Sequence, residues 1–210
     1  MIDAVGGVAP HDSPASAVSL KESDCYALVQ AKDSNTTHTR NPVSVAYESI
    51  RWGSRILKSH PLYWVDKRKL MTRILRSANT ALFTMCNAHV ESIGVDAMVG
   101  FRGNIQLWLA VVGHINVWNY RGSLIERMYP KDEDTYVDPL GSRRYGFAPH
   151  IISIPFEPQG YTIVTAGLVS EYVHSLETTS FVSIDEVTSK FLSVESPGAW
   201  VIIPHTTQIV

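Results

Sequence analysis

Cysteine is scarce in this chain. Cys25 and Cys86 are the only two in 210 residues, with no short spacing and no histidine pairing, so neither a disulfide framework nor a zinc module is expected, and both read as buried thiols. The eight histidines include no His-x-x-x-His pair, which removes the usual helical zinc site. No apolar run approaches the ~20 residues that cross a bilayer, and the stretch Met1 to Gly7 lacks a basic region followed by an apolar one. A cytoplasmic setting is therefore expected, and the triplet Asn35-Thr36-Thr37 is a chance sequon, since glycosylation requires secretion. Neither sign of charge dominates: 18 Lys and Arg against 20 Asp and Glu leave −2. With the signs read as interspersed, nucleic acid and anionic membrane are not expected partners. Ser170 lacks the flanking glycines of a nucleophile elbow, and no internal repeat or low-complexity tract occurs.

What is present is a chain with 45% hydrophobic and 18% charged residues, enough for one globular domain over 1–210 with a proper core. Ile2 to Val8 reads as a first strand, His11 to Leu20 as a Ser/Pro/Ala-rich loop, Cys25 to Ala31 as a second strand, and Lys32 to Asn41 as a polar loop. Val43, Ala46, Tyr47, Ile50 and Leu57 fall at helical spacing behind Pro42, which predicts a helix to about Ser59. Leu70, Ile74, Ala78, Ala81, Leu82 and Met85 predict a longer helix between Asp66 and Glu91. The period then shortens to two: Val95 to Phe101, Ile105 to Val112, Ile115 to Tyr120 and Leu124 to Met128 read as an antiparallel meander, punctuated by Gly103-Asn104 and Arg121-Gly122. A charged excursion, Tyr129 to Gly146, precedes strands at Ile151 to Phe156, Tyr161 to Thr165 and Ala199 to Ile203. Leu168 to Ser175 and Ser183 to Ser193 read as helices between the last two, Ser183 and Glu186 being spaced as a capping box. Helices, then strands, then strand-helix-helix-strand describe an α+β layered sandwich.

Ala166 lies in the segment Tyr161 to Val173, where a hydrophobic strand runs into Thr165-Ala166-Gly167-Leu168. That segment resembles the "strand, then Ser/Thr-Asp-Gly-Leu" signature of the metal-dependent serine/threonine protein phosphatases, the type 2C or PPM family. Other blocks follow in the family's order. The stretch from Gly94 to Val99 is similar to its Gly-Thr-Thr-Ala strand, and Asn104 to His114 to its block ending in Val-Gly-Asp. Val117 to Leu124 is similar to the following hairpin, Pro139-Leu140-Gly141 to its Leu-Gly turn, and Glu157 to Ala166 to the block ending in Ser-Asp-Gly. Near the start, Glu22-Ser23-Asp24 resembles Asn-Glu-Asp, and Lys32-Asp33-Ser34 the Asp-Gly that opens the first helix. The resemblance spans nearly the whole chain and implies a four-layer αββα sandwich of two antiparallel sheets flanked by helices.

It also implies a chemistry. In such enzymes two divalent cations, held by carboxylates and a backbone carbonyl, bridge and activate one water and neutralise the phosphoryl group it attacks. Asp24 and Asp33 match carboxylate positions and are vestigial ligand candidates. The remaining positions depart from the pattern: Ser23 stands for a glutamate, Ser34 for the glycine that lends its carbonyl, Ala166 for an aspartate, and Ser196 with Pro197 and Gly198 for a terminal Asp-Asn, leaving Glu195 nearby. No arginine precedes Arg40, so the family's phosphate-binding arginine has no counterpart, and His114 replaces a supporting aspartate. One or two carboxylates out of about four leave two cations poorly compensated, so no metal cofactor and no catalytic residue are expected.

The same residues have plainer readings. Asp24 and Asp33 serve equally well as loop acids at strand ends, and His114 as a satisfied interior or edge histidine. Arg143 and Arg144 form either a solvated loop pair or, with Lys32, contacts to a phosphate or carboxylate. Trp52, Trp108, Trp118 and Trp200 fall where core or sheet packing accounts for them, whereas Trp64, in a connector, reads as an interface anchor. The expected function is that of a pseudophosphatase: a noncatalytic, phosphatase-like adaptor or regulator that binds a kinase or a phosphoprotein. The alternatives are an active, divergent Mn- or Mg-dependent serine/threonine phosphatase with a site rebuilt from Asp24, Asp33, Asp96, Asp138 or Glu195, and a structural subunit of a larger assembly.

Overall fold

Among the described residues, two side chains start the two long helices. Asn41 receives the Val43 N–H on its side chain at 2.9 Å and the Val45 N–H on its carbonyl at 3.1 Å, capping α1 (Pro42–Lys58). Asp66 accepts the Lys69 N–H at 3.1 Å and opens α2 (Lys67–Asn87); that bond holds its carboxyl below the usual carboxylate range. Both are the capping residue types that satisfy the free N–H groups of a first helical turn. The structure, a computed structural model, describes residues 4–9, 16–20, 25–31, 41–58, 66–87, 94–121, 124–131, 136–142, 147–167, 185, 187–189 and 198–205.

Among the described residues there are ten strands, nine of them where the sequence predicts one: β1 (Val5–Ala9), β2 (Ser16–Leu20), β3 (Cys25–Ala31), β4 (Val95–Arg102), β5 (Gln106–Val112), β6 (Ile115–Arg121), β7 (Leu124–Tyr129), β8 (His150–Pro155), β9 (Gly160–Gly167) and β10 (Gly198–Pro204). They make two five-stranded sheets, ordered β1-β10-β9-β6-β7 and β2-β3-β4-β5-β8, and every pairing is antiparallel. Alternation along the strands splits the core in two. Val95, Ala97, Val99 and Phe101 of β4 pack with Ile50, Ile74 and Leu82 of the helices, whereas Met98 of β4 and Leu107, Leu109 and Val111 of β5 meet Val117, Val164 and Val201 of the other sheet. The layers are helices on sheet, and sheet on sheet.

The structure corrects several expectations. Ser16 to Leu20 is not loop; it pairs with β3, Val18 opposite Leu28. Its two serines and the Ser/Pro/Ala-rich run before it hid an edge strand. The four strands from Val95 to Tyr129 are not one meander. β4 and β5 pair in one sheet, β6 and β7 in the other, and the chain changes sheets at Gly113-His114. Trp52 is not packed but 67% exposed. Cys25 is buried as expected, whereas the Cys86 side chain lies outside the description. So does the helix expected at Leu168 to Ser175; of the one expected from Ser183, Asp185 and Val187–Ser189 are described and helical. Among the described residues no helix is long and apolar enough to cross a membrane.

Candidate functional site

The inter-sheet layer ends, on one side, where β3, β5 and β9 finish and β4, β6 and β10 begin. Ala166 sits here, opposite Ala199 of β10 and Ile115 of β6. Both alanines have no exposed surface and belong to the inter-sheet core. The next residue, Gly167, takes φ +67°, so the strand breaks at the predicted glycine. Ala166 thus presents a methyl group to a packed apolar layer.

Across the layer stands Asp96 of β4, 4% exposed. It faces the inter-sheet side because it is two residues from Met98 and between the helix-facing Val95 and Ala97. Its register partner is Gln30 of β3, which accepts the Ser16 hydroxyl and donates to the Ala31 carbonyl at 3.0 Å. The Asp96 carboxylate lies directly over Gly113, where an added Cβ would come within 1.9 Å of Oδ1. Gly113 has φ +73° and donates its N–H to the Val137 carbonyl at 2.8 Å. That oxygen of Asp96 is fully buried with no hydrogen bond, and the ring nitrogen Nδ1 of His114 lies 3.8 Å from it. His114 is not an interior or edge-strand histidine. It is exposed in the β5–β6 connection, its ring 4.8 Å from that of Tyr136. Tyr136 and Arg127 both donate to Asn116 Oδ1, at 3.0 and 2.7 Å.

The far end of the layer is closed by His205. Glu157 N–H donates to its Nδ1 at 3.3 Å, which leaves the proton on Nε2, 2.8 Å from the Thr162 hydroxyl. Burial, with help from Arg102 and Arg121, lowers its pKa to about 4. Arg102 of β4 reaches across to the Pro204 carbonyl of β10 at 2.9 Å, tying one sheet to the other. Asn119, fully buried nearby on β6, has neither amide atom hydrogen-bonded.

No sequence profile of a known family matches the chain, and no curated protein matches it in sequence. Solved structures do. A bacterial serine phosphatase aligns over 100% of both chains with a TM-score of 0.75 and 10% identity. The catalytic domain of the serine/threonine phosphatase PstP, solved with two manganese ions, aligns over 95% of each chain at 0.68 and 11%. The PPM Ser-Thr phosphatase MsPP from Mycobacterium smegmatis, in complex with cacodylate, aligns over 97% of this chain and 98% of its own at 0.65 and 11%.

The chain has the PPM phosphatase fold. The PPM resemblance implies a pair of divalent cations at the Ala166 end, and the described residues do not fit that group. Among the described residues Asp96 is the one carboxylate lining that end of the layer, Gln30 is already engaged with protein partners, and at Ala166 and Ala199 methyl groups fill the layer. Hard cations require several anionic oxygens. Among the described residues no three His, Cys, Asp or Glu side chains come together to hold a metal. Asp138, offered for a rebuilt site, is exposed on the segment that bridges to Gly113 and Val95. Asp24, Asp33, Ser23, Ser34, Glu195, Ser196, Lys32, Trp64, Arg143 and Arg144 lie outside the described residues. Sequence reasoning missed Gln30 and His205. Gln30 carried one signal, a polar residue within an otherwise apolar strand run.

Proposed function

We propose that this chain is a noncatalytic, PPM-like domain that binds another protein in phosphorylation signalling, in a cytoplasmic setting. The observation that carries the reading is Ala166, fully buried against Ala199 where the resemblance places a ligand carboxylate. A buried carboxylate needs paired charge or metal, and the inter-sheet layer has closed around alkyl groups instead. The partner is a kinase or a phosphoprotein, recognised by a protein surface, and no metal cofactor takes part.

One observation favours a second reading, a divergent active phosphatase: the Asp96 oxygen that no hydrogen bond satisfies faces the same layer. A manganese-supplemented assay on an aryl phosphate, with Asp96→Asn and Asp33→Ala as controls, separates the two. No turnover is expected. Manganese-dependent turnover that either substitution abolishes would sink the noncatalytic reading.

A further inference from the structure

The net charge of −2 conceals a segregation. Residues 42–87, which hold both helices of the described helical layer, carry eight Lys or Arg against Glu48 and Asp66, a net of +6. The other 164 residues carry ten against eighteen, a net of −8. The signs are therefore not interspersed, and the layer formed by α1 and α2 is basic on a molecule otherwise acidic. α2 itself contains five basic residues and no acidic one.

The same layer exposes apolar surface. Gly53 of α1 packs on Ile74 of α2, where an added Cβ would lie 3.5 Å from the isoleucine side chain, and this fixes the seam between the helices. One residue before and three after the seam position, each helix turns to solvent: Trp52 and Ile56 on α1, 67% and 44% exposed, and Arg73 and Ser77 on α2, both exposed. Arg76 is exposed as well and, like Arg73, has no acidic partner among the described residues. The neighbouring cations Arg51 and Lys69 pair with the patch's two acids, Glu48 at 3.7 Å and Asp66 at 3.4 Å, and Lys67 and Arg68 lie over the rings of Phe101 and Trp108, so on α2 the exposed cations left for a partner are Arg73 and Arg76.

We infer that the outer face of α1 and α2 is a docking surface for an acidic protein segment that carries one apolar anchor. A large exposed tryptophan beside cations is the composition of an interface hot spot, in which the aromatic supplies contact area and the charges select the partner and speed encounter. An acidic segment is the complement of Arg73 and Arg76, and its anchor covers Trp52 and Ile56. A bilayer fits less well: two apolar side chains make a narrow wedge, whereas interfacial helices present a broad apolar face, and acids stand among the patch's own cations.

This surface rests on the protein-binding reading given above. Selection of short random peptides displayed against the whole chain tests it, with binding of the selected peptides then measured by fluorescence polarisation. The expected peptides are rich in Asp and Glu around a single apolar residue. Their affinity falls about tenfold or more for Trp52→Ala, and likewise for Arg73→Glu combined with Arg76→Glu, declines with salt, and is unchanged for Leu124→Ala on β7. Peptides without acidic bias, or binding indifferent to Trp52 and to the two arginines, would overturn the proposal. So would Trp52-dependent binding to phosphatidylserine-containing vesicles, absent with phosphatidylcholine alone, in place of peptide binding. All these substitutions are at exposed positions, so a folding defect does not obscure the result. Manganese-dependent turnover with peptide binding intact would remove the noncatalytic reading alone; loss of peptide binding without turnover would remove this surface alone.

Discussion

Each end of the inter-sheet layer holds a buried polar side chain lying over a glycine, and the two ends treat it differently. His205 over Gly160 has both ring nitrogens engaged, by Glu157 and Thr162. Asp96 over Gly113 keeps an oxygen without a hydrogen bond. Burial does not distinguish them, at 1% and 4% exposure; the supply of partners does. Unmet polar groups cost about 1–3 kcal/mol each, so the His205 end is consolidated structure and the Asp96 end keeps a buried oxygen that no hydrogen bond satisfies. A sandwich can afford that at one end because the Arg102 tie and the His205 contacts hold its sheets together at the other.

The strongest way to break the contrast is Ala166→Asp. A carboxylate placed between Ala199 and Ile115 has no described cation to meet, and a loss of about 4 kcal/mol is expected, read from urea midpoints. The noncatalytic reading further expects that manganese restores none of it; recovery with manganese would show that a metal centre is still within reach.

The His205 end is sharpened by pH. Its folded pKa of about 4 lies below its ordinary 6.5. Between those values the unfolded chain binds a proton that the native state refuses, so stability falls as pH drops through the window, by about 3 kcal/mol. In His205→Gln that portion of the pH dependence should vanish, leaving a flatter profile of unfolding free energy between neutrality and pH about 4. A profile unchanged from wild type would show that other groups set it.

The two glycines form a matched pair. Gly113→Ala strains a positive φ and drives a methyl into Asp96, including its Cα at 2.9 Å, for a loss of about 2–3 kcal/mol. Gly160→Ala meets chiefly the His205 ring, 2.5 Å away, which has some room to shift, so a smaller loss of about 1–2 kcal/mol is expected. Equal losses in thermal melts would remove the asymmetry. The smallest effect belongs to Asn119→Leu, which replaces an amide without hydrogen bonds by a similar volume of alkyl carbon and should stabilise by about 1 kcal/mol.

Much of the fold was legible. α1, α2, β3, β9 and β10 announce themselves because each buries a continuous stripe or run, and burial of that kind writes itself into hydrophobic spacing. β2 did not, since a five-residue edge strand with two serines behind a Ser/Pro/Ala-rich run has the composition of a loop. Nor did the change of sheet between β5 and β6. Periodicity reports that a strand is half-buried or fully buried and says nothing of which sheet it joins, and Gly113-His114 has the length of a hairpin turn. What sends the chain across is a positive φ over a buried carboxylate, a tertiary fact. At the site, Ala166 was legible through the order of surrounding blocks, whereas the unbonded oxygen of Asp96 depends on atoms no spacing records. The charge segregation was present in the sequence all along, and averaging over the whole length erased it.

β10 lies between β1 and β9, so Val5 finds Ile202 as its partner. A ribosome releases the first of these strands long before the second. Until the late strand arrives the early one has no neighbour in its sheet, and that sheet stays two-piece. Closure of that sheet thus waits until β10 has been made, and the nascent chain carries β1 unpaired while all the strands between them are synthesised, a natural substrate for chaperones.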